Sequence, residues 1–183
     1  MKRLIICLAV LLTVLPVVAQ NEVAGVRYES TEITHNNEVY SIFTYIDDDG
    51  TYGYYLSVAH EMEILTVTTP RTESSFSIFD EACIWLGADR EAAFATLDSI
   101  LALFDKDAGT IVEMNARTTT GGERLGKDIT VICEVTKKML GGKRLWFYFT
   151  SGKREGDSYI NKSTVKQLRW GLNVDKKLHP KKK

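Results

Sequence analysis

Two short segments of this sequence have residue types that invite metal chemistry. Asp47-Asp48-Asp49-Gly50 is acidic enough to suggest calcium, and His60-Glu61-Met62-Glu63 offers a cation two or three ligands. A calcium loop of the EF-hand type carries oxygen ligands at its first, third and fifth positions, glycine at the sixth and glutamate at the twelfth. Here glycine comes fourth, between strand-like segments, so a hairpin turn accounts for the residues. Asp105-Lys106-Asp107-Ala108-Gly109 also falls one residue short, and Ala116 stands where the closing glutamate belongs. A zinc site needs three or four converging ligands, usually with a pair spacing such as H-E-x-x-H. The three histidines, His35, His60 and His179, are scattered instead. There is no G-x-S-x-G elbow and no glycine-rich phosphate loop. The expectation is therefore no catalytic residue, no metal and no cofactor.

Aromatic residues are the other chemistry-bearing group. In the segment 143–151, Leu145, Phe147 and Phe149 alternate with Arg144, Trp146 and Tyr148. The first set suits a core. The second is read in two ways: a helix docked over it makes Trp146 and Tyr148 a second core layer, which is favoured because two amphipathic helices need somewhere to pack. Alternatively, the face stays open and presents a cation and two aromatics to a ligand. Six of the eight tyrosines lie between Tyr28 and Tyr55. Cross-strand pairing explains them, while exposed rings, Tyr52 and Tyr54 among them, would extend the same binding surface.

Outside the leader there are two cysteines, Cys83 and Cys133. Cys133 shares an alternation face with Ile129, Val131 and Val135, the setting of a small buried hydrophobe. A Cys83–Cys133 disulfide is the alternative that an oxidising compartment permits.

The elements that position these groups read mainly as strands. Val26 to Thr34, Glu38 to Ile46, Thr51 to Ala59, Ile64 to Thr69, Ser74 to Phe79 and Ala82 to Leu86 carry strand patterns, as do Thr110 to Arg117, Lys127 to Lys137 and Lys143 to Ser151. Asp89 to Lys106 reads as a helix: Asp89 caps it, and Phe94, Leu97, Leu101 and Phe104 draw one apolar stripe widened by Ile100. A shorter helix follows Ser163 through Val165, Leu168 and Leu172. The pair Trp85-Leu86 precedes Asp89 by the same offset as Tyr159-Ile160 precedes Ser163, a weak internal echo for which chance is as good an account as duplication. The predicted fold is α+β: a twisted, mainly antiparallel sheet of about seven to nine strands with two amphipathic helices packed on it.

The first twenty residues give the expected address. Lys2 and Arg3 precede an apolar run, Leu4 to Leu15, and Ala19 precedes the expected cleavage. Cys7 lies too early in that run to carry a lipoprotein's acyl chains. Residues 1–19 thus read as a signal peptide, 20–175 as one domain, and 176–183 as a basic, disordered tail. No later run approaches the about 20 apolar residues of a membrane span. Hydrophobic content of 44% with 26% charged residues is that of a globular chain.

Charge is segregated: Gln20 to Glu113 holds 18 acids against 4 bases, and Met114 to Lys183 holds 6 against 17. Mutual neutralisation within one fold is the favoured account, a polyanion-binding surface the alternative. The functional expectation is an exported, non-enzymatic binding module, periplasmic or secreted, with a protein, glycan or polyanionic envelope partner and not nucleic acid. A polyanion binder using the basic half and an exported hydrolase with a dispersed site are the alternatives.

Overall fold

Turn chemistry and alternation set the order of the chain. The computed structural model describes residues 25, 27–35, 38–68, 73–120, 124–151 and 154–174, so the leader and the basic tail lie outside the described residues. Eight strands occur among them: β1 (Arg27–His35), β2 (Glu38–Ile46), β3 (Tyr52–Thr68), β4 (Glu73–Gly87), β5 (Ile111–Thr120), β6 (Asp128–Lys137), β7 (Lys143–Ser151) and β8 (Arg154–Asn161). Helix α1 (Arg90–Leu103) joins β4 to β5, and α2 (Lys162–Val174) follows β8. The strands form one antiparallel sheet in strict chain order, so the fold is α+β. The chain therefore runs through four strands and a helix twice.

Asp47-Asp48-Asp49-Gly50 is the β2–β3 turn. Gly50 has φ +84°, and its N–H donates to the Asp47 carbonyl at 2.8 Å. The Thr51 N–H donates to the Asp49 carboxylate at 2.9 Å, which holds that carboxyl below its usual range. The long hairpin β3–β4 is continuous where the sequence suggested four shorter strands. Its register shifts between Glu61 and Glu63, opposite Phe79 and Ile78, and this bulge absorbs the break in alternation.

Both helices pack on one face of the curled sheet. Tyr40, Ile42, Leu56, Ile84, Val131 and Phe147 from the strands meet Leu97 and Ile100 of α1 and Val165, Leu168 and Leu172 of α2. The Tyr40 hydroxyl donates to the Tyr159 carbonyl, tying β2 to β8 across this core. Asp89 caps α1 as expected, accepting from the Ala92 N–H at 2.8 Å. The most buried stripe is Ala93, Leu97 and Ile100, with Phe94 and Leu101 at its margins. Ser163 is not a cap: α2 begins at Lys162, directly after β8. The offsets that echoed in the sequence are thus not those of the two helix starts, although the order of elements does repeat.

Three ion pairs offset part of the charge segregation. Arg169 meets Asp98 at 2.6 Å, Lys162 meets Asp105 at 2.8 Å, and Arg117 meets Asp47 at 2.6 Å. Each joins a base of the C-terminal half to an acid of the N-terminal half. Hydrogen bonding to these partners holds Asp98 and Asp105 below the usual carboxylate range. The Arg90 guanidinium closes the C-terminus of α2 by donating to the Leu172 and Asn173 carbonyls at 3.1 and 2.9 Å.

Candidate functional site

Strand β7 has two apolar faces, and the helices take only one. Leu145 and Phe147 are fully buried in the main core with Phe149. Arg144, Trp146 and Tyr148 point the other way, onto the outer face, so the favoured expectation that a helix covers them is corrected. The short connections β4–α1 and β8–α2 bring both helices to the same side of the sheet, and among the described residues no other helix occurs to cover the outside.

On that outer face the rings form an ordered array. Trp146 and Tyr148 lie nearly parallel, 15° between planes and 6.2 Å between centroids. Tyr159 of β8, the cross-strand partner of Trp146, tilts against it at 5.2 Å. The Arg144 guanidinium sits 4.7 Å from the Trp146 centroid and 5.0 Å from that of Tyr159. Ile132 of β6 is paired with Tyr148, and these two side chains are 41% and 40% exposed. The Tyr148 hydroxyl donates to Glu134 at 3.3 Å. Partial burial and then the Glu134 charge raise the Tyr148 pKa above the usual phenol value. At the head of the array, Arg144 Nε and Asn161 Oδ1 belong to cross-strand partners, and neither has a hydrogen-bond partner among the described residues.

A similar aromatic arrangement in the first half of the chain is more deeply buried, with Trp85 half-buried at its margin. Phe43 stacks on Tyr55 at 5.4 Å, and Tyr55 meets the edge of Trp85, its cross-strand partner in β4, at 5.1 Å. Arg27 lies over Phe43 at 4.0 Å and pairs with Glu81. Arg117 pairs with both oxygens of Asp47 at 2.6 and 2.8 Å. Leu125 and Cys83 complete this second cluster, in which Phe43 and Cys83 are fully buried. Gly53 is needed there, since a Cβ would overlap the Trp85 ring.

Tyr54 is 1% exposed, within the main core, and Tyr52 packs beside it edge to face. Neither joins the Arg144–Trp146–Tyr148 face, because β3 is covered on both sides of the sheet. Cys83 and Cys133 are free thiols in different clusters on opposite faces, which corrects the disulfide alternative. Burial pushes the Cys133 thiol up to about 12, so it stays protonated and inert. The side chains of His60, Glu61 and Glu63 lie outside the described residues. Asn115, Ala116, Asp128, Ile129 and Thr130 line a groove of about 560 Å³ whose single carboxylate, Asp128, does not form an acid–base pair.

Tyr159, Ile132 and Glu134 were missed in the sequence because they join the site only through cross-strand register. The turn signalled by Leu140-Gly141-Gly142 was available, but the register is centred one residue earlier, on Leu140, and only that centring brings Ile132 opposite Tyr148. Comparison with family models, curated proteins and solved structures gave no match. No helix among the described residues is long and apolar enough to cross a membrane.

Proposed function

We propose that this protein is an exported, non-catalytic binding module whose protein partner docks on the outer face of β6–β8. The observation that carries the reading is the contrast between the halves: Phe43, Tyr55 and Cys83 are buried in one aromatic cluster with arginine, whereas Trp146 and Tyr159 are half-buried and Tyr148 and Ile132 exposed in the other. Trp, Tyr and Arg dominate the energetics of protein interfaces, typically around an apolar centre with a polar rim. Trp146, Tyr148, Tyr159 and Arg144 with Ile132 supply that centre, and Glu134 and Asp157 the rim. Those rim carboxylates disfavour a polyanion on this face.

A peptide library selected on the wild-type protein tests the site. Trp146→Ala should weaken the selected binders about 30-fold, the loss expected of a central hot spot of about 2 kcal/mol. Equal affinity for wild type and variant would move the interface elsewhere. Export rests on residues 1–19. Expressed with its leader in a bacterial host, the protein should be recovered outside the cytoplasm with Gln20 as its first residue, read by intact mass. An uncleaved chain retained in the cytoplasm would remove that part of the reading.

A further inference from the structure

The hairpin between β6 and β7 ends in two apolar side chains with no packing partner among the described residues. Met139 is 99% exposed and Leu140 100%, far more than any other large hydrophobic residue described. The turn itself is well specified. The Gly141 N–H donates to the Lys138 carbonyl at 3.2 Å, and the Lys138 N–H to the Gly142 carbonyl at 3.1 Å. Gly141 and Gly142 adopt φ of +89° and +79°, which glycine tolerates freely. This geometry makes no demand for methionine or leucine at the two central positions, where polar residues serve as well.

What surrounds the tip is basic. Lys137 and Lys143 are cross-strand partners at its base, and Lys138 begins the turn. Lys143 Nζ donates to the Lys106 carbonyl, which brings the end of the α1–β5 connection to the same end of the molecule. Asp105 there is influenced by Lys162, Lys143 and Lys166 together. Asp105 and Asp107 offset only part of this charge. The tip is convex and narrow, too small for the roughly 800 Å² per side of a standard protein interface. Two apolar side chains on a hydrogen-bonded turn, ringed by long cationic ones, instead suit the boundary between headgroups and acyl chains. There the apolar groups insert about 5–10 Å, while lysines remain at the anionic phosphates.

We infer that the Lys138–Gly142 hairpin tip docks the protein on an anionic phospholipid surface, with Met139 and Leu140 inserted and the adjacent lysines on the headgroups. This surface is separate from the proposed partner-binding face and does not depend on it. Co-sedimentation of the full mature chain with phosphatidylglycerol-containing vesicles tests it against pure phosphatidylcholine. Binding should require the anionic lipid and weaken with added salt. A Met139→Ser/Leu140→Ser variant should bind at least about tenfold less well, because it forfeits the buried apolar area. That variant keeps every lysine, including Lys176 to Lys183, and its changes are at exposed turn positions that leave the fold intact. In a second measurement, Leu140→Trp should show blue-shifted emission on anionic vesicles and none on pure phosphatidylcholine. Equal vesicle binding by wild type and the serine variant would overturn the inference in favour of attraction by lysines alone. Absence of binding to anionic vesicles, or equal binding to both lipids, would overturn it outright.

Discussion

Phe147→Ala is expected to destabilise the protein by about 3–5 kcal/mol, whereas Tyr148→Ala, one residue along the same strand, should cost only about 1 kcal/mol. Phe147 is fully buried among residues of both sheet halves and both helices. Its truncation removes the transfer energy of a ring and leaves a cavity that a closely packed core cannot fill. Tyr148 is 40% exposed, and its main losses are the stacking on Trp146 and a long hydrogen bond to Glu134. Chemical denaturation of the two variants reads this directly, as a lower midpoint with an unchanged slope. A domain holds only about 5–15 kcal/mol in total, so the first substitution should be severe and the second mild. The reverse order would mean that the helices cover Trp146 and Tyr148, and the proposed partner face would vanish with it.

That test is needed because β7 is a strand whose orientation the sequence leaves open. Leu145, Phe147 and Phe149 alternate with Arg144, Trp146 and Tyr148, and both sets are apolar enough for a core. Alternation supplies the two faces but not their sides; the short connections into the helices decide that. In β2 and β3 the ambiguity has a different outcome. Tyr40 and Ile42 enter the main core while Phe43 and Tyr45 enter the second cluster, so both faces are covered and Tyr54 has no surface to offer. Strands with clear turn chemistry were legible to the residue, as at Glu38–Ile46 and Lys143–Ser151. The β3–β4 hairpin has the sequence pattern of separate pieces because Glu61, Glu63, Asp80 and Glu81 interrupt its apolar alternation. Backbone pairing continues through all four. Site residues contributed by a neighbouring strand, such as Tyr159, depend on register, which a single segment's composition does not contain.

The two halves also meet through a contact that only a missing side chain permits, and Gly171 should show it with an unusual sign. Alanine for glycine in a helix ordinarily stabilises by about 1 kcal/mol. Here Gly171 is buried in α2, and a Cβ would overlap the hydroxyl oxygen, methyl and Cβ of Thr31 in β1. Threonine is short and branched, with little freedom to move aside. Gly171→Ala is therefore expected to destabilise by about 1–3 kcal/mol, the range for overpacking a close contact. Thr31→Gly removes all three overlapping atoms at a cost of its own, since glycine weakens a strand. In that background Gly171→Ala should become neutral or stabilising, a coupling of about 2 kcal/mol or more in a double-mutant cycle. Additive losses would mean that α2 does not lie on β1 through this glycine. The close seat holds α2 on the core side of the sheet, and among the described residues no helix lies on the outer face of β6–β8, where the proposed partner would dock.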